Sequence, residues 1–329
     1  MTRISLSFLA LCVLNGAAFA GGSNYGIAPG SQQVRGKITE WAVPTPEFAR
    51  DPAPGPDGNI YISVMSGNKI ARFDVQARKF TEWNLPDGAH PHGVLVAPDG
   101  KVFYTGNGNG TLGELDPASG NVKQYRTPSG RGGPHTLVLD TQGNIWFTGQ
   151  SGGYVAKLDR ALGRITEYRM PGGPYGLALD AQGNVWVCRM GADRLGKLDP
   201  RSGRTSELDM GTGSQPRRIA AAGDGTLWVT LYGNGRLAHV DPAANRVLKE
   251  YPMPAGARGG PYAVTVDGAG RVWANELQTD TVAMLDPKTE KFRVFRLPSK
   301  NVGIRKAIID AQGRYWYMGS HNGRLGVIE

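Results

Sequence analysis

One six-residue pattern recurs seven times along this chain, as KIARFD, TLGELD, YVAKLD, RLGKLD, RLAHVD, TVAMLD and RLGVIE, ending at Asp74, Asp116, Asp159, Asp199, Asp241, Asp286 and Glu329. The steps between these ends are 42, 43, 40, 42, 45 and 43 residues. A second series runs ahead of it in the same register: NIYISV, KVFYTG, NIWFTG, NVWVCR, TLWVTL, RVWANE and RYWYMG, each led by a turn such as PDG, TQG, AQG or GDG. These runs are short and rich in β-branched and aromatic residues, with Gly and Pro at their boundaries, so they read as strands joined by tight turns. Each module resolves into four strands, and a period in the low forties with four strands per unit is the signature of a propeller blade. The fold class expected is all-β, a seven-bladed β-propeller with four-stranded blades.

The chain ends on a third strand, RLGVIE, with no fourth after it. Near the other end, KITEWAV from Lys37 to Val43 copies the outer strand KFTEWNL at Lys79 to Leu85, yet no module precedes it. The N-terminal strand is therefore expected to complete the last blade and close the ring. The organisation follows: residues 1–20 a signal peptide, 21–36 a flexible lead-in, and 37–329 a single propeller domain.

The signal reading rests on Arg3, the apolar run from Leu6 to Leu14, and Ala18-Phe19-Ala20 as a small-x-small cleavage site. Cleavage near Ala20 implies a periplasmic or secreted protein. The apolar run is too short to cross a bilayer as a helix, so no membrane insertion is expected. Of the two cysteines, Cys12 and Cys188, only Cys188 survives cleavage, so no internal disulfide is expected. The formal net charge of +9 is dispersed, without a Lys/Arg run, which argues against nucleic acid as a partner. The expected partner is a small molecule, and the expected state a monomer.

The repeat register also points to a site. Neighbouring strands of a blade run antiparallel, so the start of the first lies beside the end of the second, near one mouth of the central channel. The residues eight before each turn glycine form one ring: Arg50, His92, His135, Tyr175, Arg217, Tyr262 and Arg305. All are large and carry polar heads. Fourteen residues further on lies a second ring of Val64, Gly106, Gly149, Arg189, Leu231, Glu276 and Gly319, whose glycines are expected to leave open space. Guanidinium groups with tyrosines suit a carboxylate, a phosphate or another planar polar ligand. Arg50, Tyr175, Arg189, Arg305 and His90 are the candidate ligand-binding residues. Glu276, Tyr262, Arg217, His92 and His135 are the candidates for proton transfer and charge stabilisation. His90 and His92 form an H-x-H pair that could join His135 around a metal if the strand is already extended at Pro91. No G-x-S-x-G elbow, P-loop or HExxH motif is present.

The order of PDG or AQG turn, WFTG or WVTL strand, RLGKLD strand, ITEYRMP strand and GPYGL resembles the streptogramin B lyase (virginiamycin B lyase) family, from Lys37 to Glu329. The resemblance implies a propeller and a lyase that opens a cyclic depsipeptide by elimination across its ester linkage. It also implies Mg2+ as cofactor, with two histidines and two glutamates as functional groups. Carried over by module, the histidines fall on Arg217 and Tyr262, and the glutamates on Gly260 and Glu276. Glu276 alone keeps the family's residue, and it is the metal-ligand candidate. Two readings follow: a lyase-like propeller acting on a small anionic or ester-containing ligand, or a non-catalytic module holding a cell-envelope ligand or a protein.

Overall fold

The computed structural model describes residues 25–130 and 132–329; the expected signal segment lies outside the described residues. Twenty-eight strands among them form seven four-stranded antiparallel sheets. Blades 1 to 7 are numbered by their inner strands, Ala49–Pro54, Pro91–Val96, Pro134–Leu139, Pro174–Leu179, Pro216–Ala221, Pro261–Val266 and Ile304–Ile309. Each inner strand packs beside those of the two neighbouring blades, and blade 7 packs against blade 1, so the ring is closed. Six sheets take four consecutive strands. The seventh takes Ile304–Ile309, Tyr315–Gly319, Arg324–Ile328 and, at its outer edge, Ile38–Ala42. Ile38 pairs with Ile328 and Ala42 with Arg324, which is the closure expected from KITEWAV.

The second strand of each blade is buried along its whole length because neighbouring blades sandwich it. In blades 3, 4, 6 and 7 its tryptophan also fixes the turn before it. The indole N–H donates to the turn aspartate at 3.1 Å for Trp146 and Asp140, 2.9 Å for Trp186 and Asp180, 2.9 Å for Trp273 and Asp267, and 2.7 Å for Trp316 and Asp310. The turn itself needs a residue in the left-handed region, and Gly143 adopts it at φ 82°.

Every inner strand slips register after its first residue, between Ala49 and Pro52 in blade 1, Pro134 and Leu137 in blade 3, and Pro216 and Ile219 in blade 5. Such a bulge breaks strict alternation. In place of a ladder partner, the second residue in the bulge gives its N–H to a side chain on the next strand: Asp51 to Ser63 at 3.1 Å, Gly93 to Thr105 at 2.8 Å, Thr136 to Thr148 at 3.2 Å and Arg218 to Thr230 at 3.0 Å. The same hydroxyls donate onward to the next blade. Ser63 reaches the His92 carbonyl at 2.6 Å, Thr105 that of His135 at 2.6 Å, Thr148 that of Tyr175 at 2.8 Å and Thr230 that of Tyr262 at 2.7 Å. Asn275 bonds across to the next blade one residue earlier, its amide donating to the Ile304 carbonyl at 3.0 Å. Cys188 and Met318 hold this position in blades 4 and 7 and cannot latch in this way.

The part of the lead-in that is described, residues 25–36, is held to the ring by hydrogen bonds. Gly30 donates to the Asp310 carbonyl at 2.8 Å and accepts from Gly268 at 2.8 Å. Arg293 bonds the Val34 and Arg35 carbonyls at 2.9 and 2.8 Å. The segment carries the Tyr25 ring to the channel interior on the turn side, 4.4 Å from Lys306 Nζ.

Candidate functional site

The first ring comes together at the mouth opposite Tyr25, as the register implied. The His92 and His135 rings lie 3.5 Å apart between centroids, and Tyr175 follows at 4.0 Å from His135. The hydroxyls of Tyr175 and Tyr262 are hydrogen-bonded to each other, reaching past blade 5. Arg305 donates to the Tyr262 oxygen at 3.4 Å and stands 5.4 Å from that ring. The Arg217 guanidinium lies 4.6 Å from the Tyr232 ring and 5.8 Å from that of Tyr262. Arg50 and Arg305 flank Phe48 at 5.1 and 5.6 Å.

Because of the bulge, a second set of side chains fills the channel just inside this ring. Arg218 donates to Thr136 at 2.6 Å and to the Arg305 carbonyl at 3.1 Å, and pairs with Asp51 at 3.4 Å. Lys306 donates to the Val94 carbonyl at 3.2 Å. Arg50, Arg218 and Lys306 are 6%, 5% and 4% exposed, so these charges are taken out of water. The mouth and channel thus carry Arg50, Arg217, Arg218, Arg305 and Lys306 against a single carboxylate among the described residues, Asp51. Arg50 Nε and Nη2 and both ring nitrogens of His92 are buried without a hydrogen-bond partner. Buried donors left unmade are costly, and such a set is completed by an acceptor.

The charges set the protonation. Burial, then the charge of Arg50, holds His92 well below the ordinary imidazole value. Burial, then Arg218, does the same to His135, so both rings are neutral at neutral pH. Burial pushes Tyr175 up to about 12. Tyr262 moves the other way: burial opposes its ionisation, but the charges of Arg218, Arg50 and Arg305 and the hydrogen bond with Tyr175 outweigh burial and hold the phenol below its usual value.

Glu276, Arg189, His90 and the ring glycines, read from the sequence as part of this site, stand elsewhere or differently. Glu276 is turned from the channel: its carboxylate accepts from the Ala255 N–H at 2.7 Å and the Thr281 hydroxyl at 3.1 Å, holding the short 3-10 turn Gly256–Gly259. Arg189 donates to the Pro171 carbonyl at 2.6 Å and pairs with Glu207 of its own blade's outer strand. His90 is exposed and left-handed at φ 43°, so pleat alternation does not align it with His92; its Nδ1 lies 3.2 Å from the Met65 carbonyl. The ring glycines leave no open space, since a Cβ on Gly149 would meet the Tyr154 ring at 2.1 Å. The second ring faces the interior of the blades.

Magnesium, implied by the resemblance, does not fit these residues. The ion requires oxygen ligands, several of them from carboxylates, phosphates or water. Glu276 already holds the Ala255 turn, Asp51 is paired with Arg218, and no cluster of three His, Cys, Asp or Glu exists among the described residues. The five cations would repel the ion further.

Reading the sequence alone missed Asp51, Thr136, Arg218 and Lys306, along with Phe48, Tyr232 and His321 at the rim. His321 Nε2 accepts from Arg305 at 3.1 Å and its Nδ1–H donates to the Asn301 side-chain oxygen at 3.1 Å. The inner four each follow a first-ring position by one residue, a signal that strict alternation conceals.

The same architecture occurs in solved structures. A streptogramin B lyase superposes with a TM-score of 0.80 at 21% identity, over 89% of this chain and 97% of that one. The virginiamycin B lyase from Staphylococcus aureus does so with a TM-score of 0.80 at 20% identity, over 89% and 99%. Hydrazine synthase from Kuenenia stuttgartiensis shares the fold as well, with a TM-score of 0.75 at 15% identity, over 91% and 99%. These likenesses show the fold alone. A comparison with curated protein sequences finds no match. The family model for the virginiamycin B lyase family matches residues 27–173 and 91–329, and the chain belongs to that family.

Proposed function

We propose that this propeller binds a small molecule bearing a carboxylate or phosphate at the His92–Tyr262 mouth, and that it works outside the cytoplasm as a monomer. The observation that carries this reading is the charge imbalance: of five cations lining the mouth and channel only Arg218 is paired with a carboxylate, and Arg50 and His92 keep buried donors free. Bidentate acceptors are what guanidinium groups bind best.

The same geometry favours elimination over a purely passive role. Tyr262 is the acidified phenol of a hydrogen-bonded pair, with the Arg305 Nη1 at 3.4 Å. Its phenolate takes the proton from the carbon beside the bound carboxylate. Those C–H electrons form a C=C bond as the neighbouring C–O bond breaks, and the proton held by Tyr262 passes to the departing oxygen, restoring the phenolate. Arg217 and Arg305 hold the negative charge that develops on the carboxylate in between. This mechanism uses no divalent ion and leaves Glu276 its structural task.

The test is calorimetric titration of small carboxylates and phosphates into the mature protein, then chromatography of β-substituted carboxylates for unsaturated product. Binding without product in every case would leave the recognition module and remove the lyase. Absence of binding would remove both.

A further inference from the structure

Beneath the mouth, the channel interior contains a cavity lined by Tyr25, Thr136, Gly176, Arg218, Ala263 and Lys306. It lies beneath the ring of His92, Tyr175 and Tyr262, where Arg218 also borders the Tyr175 ring at 5.3 Å, and the proposed reaction places no substrate in it. Lys306 and Arg218 reach it from blades 7 and 5, both almost wholly buried. Their charges are not balanced there. Asp51 pairs with Arg218 at 3.4 Å, whereas the Lys306 ammonium, with three protons to donate, makes one bond to a neutral carbonyl. Lys306 forms no ion pair among the described residues.

A buried charge without a counter-charge is expensive, and a water molecule in the cavity would satisfy hydrogen bonds without offsetting it. The Tyr25 ring closes the cavity on the turn side. The space measures about 10 Å³, which admits a single compact body and not an organic acid.

We propose that this cavity is a binding site for a single monatomic anion, a halide such as chloride, held between Lys306 and Arg218. The halide completes the charge of the channel and ties blades 5 and 7 together through it. The assignment does not rest on the ligand proposed for the mouth.

Two measurements test it. The first is thermal unfolding of the mature protein in sodium chloride against sodium gluconate at equal ionic strength. Chloride is expected to raise Tm by roughly 2–5 °C, by preferential binding to the folded chain. The rise should persist in Arg217→Met, which alters only the mouth, and vanish in Lys306→Met. Lys306→Gln serves if the methionine variant does not fold. The second is anomalous diffraction from crystals grown in sodium bromide, with a peak expected between Lys306 Nζ and the Arg218 guanidinium. Equal Tm in the two salts, a chloride effect that survives loss of Lys306 but not of Arg217, or bromide only at the mouth would each overturn the site. Loss of organic-anion binding with the halide effect intact would count against the mouth reading alone.

Discussion

Tyr175 and Tyr262 come from blades 4 and 6 and share a hydrogen bond in front of blade 5, and Arg305 also donates to the Tyr262 oxygen. Once Tyr262 is ionised its oxygen can only accept, and Tyr175 and Arg305 both then donate to it. The two phenols are pushed apart in acidity by this arrangement, Tyr175 upward and Tyr262 downward. A pair of titratable groups separated in this way is how a site obtains a base at moderate pH.

Tyr175→Phe removes the donor and keeps the ring against His135. The expected result is a rise in the Tyr262 value, read as a shift of its ionisation to higher pH in an ultraviolet titration. Any elimination activity would move its alkaline-side optimum with it. An unchanged titration would mean that the Tyr175 hydrogen bond does not support the Tyr262 phenolate.

His92 and His135 give the protein an acid sensitivity. Both folded values lie well below the ordinary 6.5, so the unfolded chain takes up these protons first. Stability is therefore full above about 6.5 and falls as pH drops below it, by up to about 1.4 kcal/mol per pH unit for each ring. Urea unfolding between pH 7 and 5 should show this slope, and His92→Gln with His135→Asn should flatten it.

Asp51→Asn leaves Arg218 without its counter-charge. A loss of about 3–5 kcal/mol is expected from denaturant unfolding, as for other broken buried pairs. Asp51→Asn combined with Arg218→Met should lose less than the sum of the two single changes, because they act on one interaction.

The architecture was legible in the sequence because a forty-residue period with Gly-led turns leaves few alternatives. The ring from Arg50 to Arg305 was legible for the same reason, since one register fixes seven equivalent positions. What followed from strict pleat alternation was not. The bulge after Ala49, Pro134 and Pro216 brings Asp51, Thr136 and Arg218 into the channel beside their first-ring neighbours. The left-handed turn at His90 breaks the H-x-H pair, and the end of each second strand faces the blade interior, which takes Glu276 and Arg189 out of the mouth. A period shows which positions are equivalent, but local backbone decides where their side chains go.

The hydroxyl latch between blades yields a gain-of-stability test. Thr105, Thr148 and Thr230 each bond a first-ring carbonyl of the next blade, and Cys188 occupies the same place without an equivalent bond. Cys188→Thr should add the missing bond to the Arg217 carbonyl and stabilise the fold by about 1 kcal/mol. Thr105→Val should cost about 1–3 kcal/mol, since it orphans the Gly93 N–H and the His135 carbonyl. Chemical denaturation of the two variants beside the parent protein reads both effects.

The claim that matters most is that the channel mouth is built for an anion. Calorimetric titration of citrate and phosphate into the mature protein, and into an Arg50→Met, Arg217→Met double variant, addresses it directly. The expected result is saturable binding by the parent protein, weakened at least tenfold in the variant and by rising salt, with the fold unchanged by circular dichroism. Equal affinity in the two proteins, or no binding by the parent at low salt, would contradict it.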